Sequence, residues 1–318
     1  MTVLVTGAAG LIGRFVVKEL AESGEDVVSA DITRPAAIRK RETYERVDIG
    51  DPMAWTQLIS QYKPDRIIHL SALITHLSHA RPLEALRVNV MGTGYMLEAA
   101  RLLGMPRIVY ASSVLVYGAP SVYEESMVDE DSLPAPNTIY GSTKLMNEAI
   151  AAHYRKAYGM RITGLRPIMA YGPKRYEGVL ANLNCAIRDA VMGRPVHWSR
   201  AFAPDVVHSP LHVVDMARAF VRAATGSFLP SPVYNVGGAE NLSEDDMLRI
   251  ILEAVPQHGP VIHEPDSKML VSFMRADVSR FHRDANFVPQ LTMSDAVAWS
   301  NKYYNDPDFR HNVTGGAD

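Results

Sequence analysis

Val3-Leu4-Val5-Thr6-Gly7-Ala8-Ala9-Gly10-Leu11-Ile12-Gly13 joins a short β-branched run to the beginning of a helical pattern. The run from Val3 stops at Gly7, and the apolar residues from Leu11 to Leu20 recur at helical spacing until Gly24. This predicts strand, tight turn and helix. Glycines at 7, 10 and 13 permit a sharp turn, close approach of backbone to a pyrophosphate, and close packing of helix on strand. The N–H groups opening the helix face the same anion. After a strand and ahead of a helix, the glycine pattern predicts a dinucleotide site.

The next apolar run, Val27 to Ala30, ends at Asp31, close to the roughly 20-residue offset at which a carboxylate meets the adenosine ribose. Such a carboxylate accepts from both ribose hydroxyls and repels a 2'-phosphate, which selects NAD; Arg34 nearby leaves NADP open. Tyr44 to Val47 reads as a further strand ending at Asp48-Ile49, where one polar and one apolar side chain are expected to grip adenine. After a helix from Pro52 to Tyr62, the strand Arg66-Ile-Ile-His69-Leu70 ends in Ser71-Ala72, small residues that leave room for a ligand. His69 is read as structural, and His76 and His79, lacking a clustered carboxylate, are not read as metal ligands. The long helical pattern from Pro82 to Leu103 carries Asn89 on an apolar face. A polar group there needs a partner, and fixing the active-site backbone, capping and a water contact are all open.

Arg107 to Ala111 is the next strand, followed by the hydroxyls of Ser112-Ser113 and by Val116-Tyr117-Gly118. The acidic, proline-rich piece from Glu124 to Pro136 reads as a surface loop. It leads to Tyr140-Gly-Ser-Thr-Lys144. On a helix Tyr140 and Lys144 share a face, with Cβ atoms roughly 5–6 Å apart. A free phenol has a pKa of about 10 and is a poor base near neutrality. An adjacent ammonium brings that value down, so the pair can exchange a proton.

Composition narrows the partners. Of the 318 residues 47% are hydrophobic and 21% charged, ordinary for a globular protein, and a formal net charge of −3 offers no attraction for nucleic acid or an anionic membrane. The length suits a large domain with a smaller lobe. One cysteine, Cys185, forms no internal disulfide and fits a reducing compartment. With no basic leader, and no apolar run near the ~20 residues of a membrane helix, a cytoplasmic location is expected.

Taken together, Gly7-x-x-Gly10-x-x-Gly13, Asp31, His69-Leu70-Ser71-Ala72, Ser112-Ser113-x-x-Val116-Tyr117-Gly118, Tyr140-x-x-x-Lys144 and Leu165-Arg-Pro167-x-x-x-Tyr171-Gly172-Pro173 resemble the extended short-chain dehydrogenase/reductases, the NAD-dependent epimerase/dehydratases. The resemblance spans most of the chain. It implies an α/β fold, a doubly wound parallel (Rossmann) sheet over residues 1–172 that binds NAD and to which parts of 205–240 return, with a smaller C-terminal lobe, mainly 173–318, holding substrate. By the same resemblance Tyr140 is the general acid/base, Lys144 lowers its pKa and bonds the nicotinamide ribose, and Ser113 holds the reacting oxygen, Ser112 being the weaker candidate. The expected NAD contacts are Gly7, Gly10, Leu11, Ile12, Gly13, Asp31, Asp48, Ile49, Leu70, Ser71, Ala72 and Asn89, together with Tyr140 and Lys144. A homodimer built on the helices at 82–103 and 140–158 is also implied.

Departures from the family pattern narrow the chemistry. Dehydrating members place Asp-Glu directly after the active-site hydroxyl, and decarboxylating ones often keep the Glu; here stand Val114 and Leu115. Members that epimerise beside a ketone tend to carry Cys at the position of Val114. Simple dehydrogenation of a secondary hydroxyl and NAD-retaining 4-epimerisation of a sugar remain. Nucleotide-sugar members usually carry an Arg where this chain has Val207-His208-Ser209-Pro210, although Arg175, Arg200 or Arg275 could replace that fork. The expected substrate is therefore a smaller sugar, sugar acid or polyol. A non-catalytic NAD-binding regulator, the third reading, has no need for Tyr140, Lys144 and Ser113 together. Helical patterns at 178–192, 212–224, 243–255 and 293–304 are assigned to the lobe, and Asn305 to Asp318 is expected to fray.

Overall fold

The computed structural model describes every residue except Ala36, 105–106, 125–126, 177–179, Asp205, 267–274 and 315–318. Among the described residues one large sheet holds seven strands: β1 (Thr2–Thr6), β2 (Asp26–Asp31), β3 (Glu42–Arg46), β4 (Arg66–His69), β5 (Arg107–Ala111), β6 (Arg161–Pro167) and β7 (Val233–Val236). They are ordered β7-β6-β5-β4-β1-β2-β3, and every neighbouring pair is parallel. Parallel neighbours require crossovers, which helices provide on both faces.

The strands show why both faces are covered. Val3 and Val5 of β1 point into a core with Phe15, Val16 and Phe220, whereas Leu4 between them packs with Trp55, Leu58 and Met96. Ile68 and Val109 join the first core, Ile67 and Ile108 the second. Alternate side chains of one strand thus enter opposite layers, as a period of two demands. The first layer is α1 (Gly13–Glu22) and a helix at Val213–Thr225; the second is α2 (Pro52–Tyr62), α3 (Gly92–Leu102) and α4 (Ile139–Tyr158). Local signals bound these helices. Asp51 caps α2 by accepting from Met53 N at 2.9 Å, Pro52 stands in its first turn, and Lys63 ends it in a left-handed conformation.

A second core lies beyond the sheet. α5 (Ala181–Val191), α7 (Glu244–Ala254) and α8 (Met293–Asn305) contribute Leu183, Ile187, Met247, Ile251 and Val297, and Val114 and Val116 pack among them. Capping boxes at Ser243/Asp246 and Thr292/Asp295 start α7 and α8. Three expectations need correction. The helix α6 (Val213–Thr225), grouped with the lobe's helical patterns although it falls within the 205–240 expected to return to the sheet domain, packs its apolar face on α1 in the sheet's own core. The piece from Glu124 to Pro136 is more than a surface loop: Met127–Val128 pairs with Arg275–Ala276, and Glu130, buried, accepts from Asn235 N at 2.8 Å. From Asn305 to Thr314 the stretch is held rather than frayed, since α9 (Pro307–Thr314) docks Phe309 on Trp299 and buries Val313, whose carbonyl accepts from Arg39 at 2.7 Å; the rest of it, 315–318, lies outside the described residues. Two apolar residues four apart suffice because aromatic surface waits for them.

Candidate active site

β1 and β4 are neighbours although β2 and β3 intervene in the chain, so the strand order reverses between them, and open α/β sheets bind ligands outside the carboxyl ends at such a point. Gly7 takes φ +68°, and a Cβ on it would lie 2.7 Å from Ser71 N. A Cβ on Gly13 would lie 2.0 Å from the Gly7 carbonyl oxygen. Backbone alone fits there, which brings α1 down onto the turn and sets Leu70, Ser71 and Ala72 against it. No side chain caps α1, so its opening N–H groups meet no competing side-chain oxygen. Asp31 closes the other side: its carboxylate accepts from Ala9 N at 3.0 Å and Thr33 N at 2.9 Å, at the rim of the glycine turn. A cradle without side chains, an uncapped helix and a rim carboxylate fit a dinucleotide with a pyrophosphate and a free ribose diol.

Further along the crevice the picture differs from the sequence reading. Asp48 reaches the surface and pairs with Arg87 at 2.9 Å, whereas the Ile49 side chain is buried in the core beside Trp55. Asn89, expected to touch cofactor, is 1% exposed. Its Oδ1 accepts from Leu73 N at 2.8 Å, and its Nδ2 donates to Leu73 O at 3.0 Å and Thr143 Oγ1 at 3.1 Å. Asn89 therefore ties the loop after β4 to α4 and leaves no donor for a ligand. His69 is structural: Thr6 and Thr93 hydroxyls flank its ring, and burial drives its pKa down to about 3.

α4 carries the proton-transfer residues. Thr138 caps it by accepting from Gly141 N at 3.0 Å, and a Cβ on Gly141 would lie 2.4 Å from Leu115 O, so the first turn presses on the segment after β5. That contact brings the half-buried Tyr140 within electrostatic reach of Ser113, whose hydroxyl accepts from Leu115 N at 3.2 Å. Ser112 points the other way, its hydroxyl donating to the Glu148 carboxylate. Ser113 is thus the hydroxyl that faces the crevice. Lys144, 3% exposed, donates to Ala111 O at 2.7 Å with its Nζ 5.4 Å from the Tyr140 ring centroid.

The electrostatics correct one sequence expectation. Burial pushes the Tyr140 phenol up to about 12, and the groups that pull it back are the Arg175 guanidinium and then the Ser113 hydroxyl. Burial also lowers the Lys144 ammonium to about 8, with Glu148, one turn on, holding it up. Lys144 is directed at the Ala111 carbonyl, so in the protein alone it is not what lowers the phenol.

Several residues of the site escaped the sequence reading. Arg166 makes a bidentate pair with Glu148 at 2.8 and 2.6 Å, and donates to Tyr117 Oη at 2.6 Å. Tyr117 Oη meets Asn235 Oδ1 at 3.0 Å, and Asn235 leads to Glu130 and, through it, Arg280 at 3.2 Å. One polar chain therefore runs from the serine segment to the lobe. Arg166 stood inside the Leu165-Arg-Pro167 motif and Glu148 four residues after Lys144; only their mutual contact was hidden. Of the three arginines considered for an anionic substrate, Arg200 is engaged by Asp245 at 2.9 Å and Asp266 at 3.2 Å, Arg275 is exposed, and Arg175 alone acts on Tyr140.

A doubly wound sheet with a glycine turn at its switch point and a Ser-Tyr-Lys cluster at the adjoining strand ends defines a dinucleotide-dependent oxidoreductase. Comparison with known proteins agrees. Residues 3–237 match the family model of the NAD dependent epimerase/dehydratase family. A UDP-glucose 4-epimerase of Mycolicibacterium smegmatis is 29% identical, over 96% of this chain and 99% of its own length. Among solved structures, MoeE5 in complex with UDP-glucuronic acid and NAD is 28% identical, with a TM-score of 0.79 over 94% of this chain and 97% of that one. An L-threonine 3-dehydrogenase of Trypanosoma brucei, 23% identical, shares the fold with a TM-score of 0.82 over 95% and 97% of the two chains. The chain belongs to the NAD-dependent epimerase/dehydratase family of extended short-chain dehydrogenases/reductases, and is an NAD-dependent enzyme.

Proposed function

We propose that this enzyme oxidises a secondary hydroxyl of a small sugar, sugar acid or polyol, with Tyr140 as general base. The observation that carries the reading is the placement of Tyr140 where the Ser113 hydroxyl acts on its phenol, beside Val114 and Leu115, neither of which can move a proton. Val114 is 4% exposed and packs in the lobe's core, where it serves as an apolar anchor. Bound NAD supplies the hydride acceptor. Ser113 holds the substrate oxygen, Tyr140 removes its proton, and Lys144 anchors the helix to β5 through Ala111 while its charge favours phenolate once the site is filled. Gly7, Gly10, Leu11, Ile12 and Gly13 would hold the pyrophosphate, Asp31 the adenosine ribose, and Ser71 and Ala72 the far side of the crevice; residues 173–318 outside 205–240 would close over the substrate. The absence of an arginine from 207–210 and the engagement of Arg200 favour a substrate without a nucleotide.

The rival reading, an NAD-retaining 4-epimerase of a nucleotide sugar, is favoured by the likeness to a UDP-glucose 4-epimerase. Incubation with NAD and a panel of free sugars, uronic acids, polyols and nucleotide sugars separates the two. Release of free NADH with a small substrate is expected; conversion of a nucleotide sugar with no net NADH would refute the proposal. We also infer a homodimer, because Leu83, Leu86 and Met146 are 80%, 47% and 52% exposed on or beside the two long helices.

A further inference from the structure

The amino-terminal edge of the sheet, opposite the crevice, carries a row of arginines. β4 begins with Arg66, β5 with Arg107 and β6 with Arg161, and the strand register pairs Arg66 with Arg107 and Arg107 with Arg161. Adjacent parallel strands lie about 4.8 Å apart, so three guanidinium stems leave one edge side by side. Like charges directly opposite each other destabilise a sheet. Among the described residues none of the three forms an ion pair that would offset this. Arg66 donates Nε to Ala224 O at 2.7 Å, and Arg107 donates Nη1 to Ala224 O and Gly226 O at 2.7 and 2.6 Å.

These arginines line a cavity of about 320 Å³. Arg107 is 6% exposed, yet its buried Nη2 meets no hydrogen-bond partner among the described residues. That leaves its charge beneath the cavity without a paired carboxylate among the described residues to offset it, while the guanidinium groups of Arg66 and Arg161 reach the lining. Phe228 forms one wall, its ring centroid 4.9 Å from the Arg161 guanidinium and 5.6 Å from that of Arg107, which holds both forks in place. Asp65 is the one carboxylate on the lining, and its Oδ2 already accepts from Thr2 N at 2.8 Å. Burial and the two neighbouring arginines lower the Arg107 pKa to about 10, the mark of a cation held among cations.

We propose that this cavity binds a phosphate-bearing small molecule, whose phosphoryl oxygens are taken by the guanidinium groups of Arg66 and Arg161 over the buried charge of Arg107. Two guanidinium groups flanking a buried third charge match a dianion better than a carboxylate monoanion, and the volume leaves room for a small organic body beside the phosphoryl group. The site stands apart from Tyr140: β5 alone, five residues at about 3.3 Å each, separates the two edges. The proposal is independent of the substrate read from the crevice.

Calorimetric titration of the NAD-saturated enzyme with inorganic phosphate, and separately with glycerol 3-phosphate, tests it; saturation with NAD keeps the glycine turn from taking the probe. One saturable site is expected with both probes. A charge-assisted hydrogen bond is strong enough that Arg161→Glu and Arg66→Gln should each weaken binding roughly tenfold or more, with NAD affinity unchanged. Arg107→Met removes a buried anchor of the 224–226 backbone and can cost the fold, so the decisive variants are those at the exposed Arg161 and the partly exposed Arg66. No heat beyond that of sodium chloride at matched ionic strength, or undiminished affinity in both variants, would overturn the assignment.

Discussion

Replacing Glu148 by Gln tests the polar chain behind the active site. The carboxylate takes two charge-assisted hydrogen bonds from Arg166, 2.8 and 2.6 Å long, plus the Ser112 hydroxyl, and both members of the ion pair are nearly inaccessible at 8% and 2%. Gln keeps the shape and one acceptor but turns an N–H₂ toward the guanidinium, leaving Arg166 buried with its charge uncompensated. Removing one partner of such a pair costs about 3–5 kcal/mol. In a chain of this size, at roughly 2 °C per kcal/mol, the melting temperature should fall by about 6–10 °C. Catalysis should respond separately. Glu148 opposes the burial that lowers the Lys144 pKa to about 8. One helical turn, roughly 5–6 Å between Cβ atoms, at an effective dielectric near 20 corresponds to about 3 kcal/mol, or about two pH units. The sign is downward, since losing a negative neighbour disfavours the ammonium. With the substrate found by the panel, the alkaline fall of kcat/KM, where Lys144 loses its proton, should therefore move toward neutrality by about one to two units, and differential scanning fluorimetry at pH 7.5 should show the loss of stability. An alkaline limb that stays within about 0.3 unit of the parent enzyme, in a variant melting within about 1 °C of it, would refute the reasoning.

Other substitutions probe the remaining parts. Tyr140→Phe should lower kcat by about 10²–10⁴-fold with NAD affinity retained; activity equal to the parent would remove Tyr140 from the proton step. Gly13→Ala places a methyl 2.0 Å from the Gly7 carbonyl oxygen, so NAD affinity measured by fluorescence titration should drop at least tenfold or the protein should fail to fold, and unchanged affinity in a stable protein would dismiss the cradle. In sedimentation, Leu83→Glu combined with Met146→Glu should convert a dimer into a monomer, because both exposed positions would be buried between copies; a monomeric parent enzyme would remove the dimer.

The amino-acid sequence by itself determined the parts whose physics is local. Five of the seven strands announce themselves by short runs bounded by turn residues, the glycine turn by residues that permit what no side chain permits, and Tyr140 and Lys144 by a helical spacing that puts them on one face. The preference for Ser113 over Ser112 came from the family resemblance rather than from local physics, and in the structure it is Ser112 whose hydroxyl is taken by Glu148. Contacts between distant segments were not legible. Ser112 and Glu148 are 36 residues apart and Glu148 and Arg166 are 18 apart, so nothing in either neighbourhood says that a buried carboxylate will receive both a hydroxyl and a guanidinium. Asn89 could be read as a polar group in need of partners, but that its partners are Leu73 and Thr143 follows from how the loop after β4 lies on α4. The arginine row is the clearest case. Arg66, Arg107 and Arg161 each look like an ordinary charged residue at a strand's start, and only the parallel register of β4, β5 and β6 makes them neighbours around one cavity. Periodicity decides which face a side chain takes; the sheet order decides which strands stand next to it, and that order is set by the packing of the whole core.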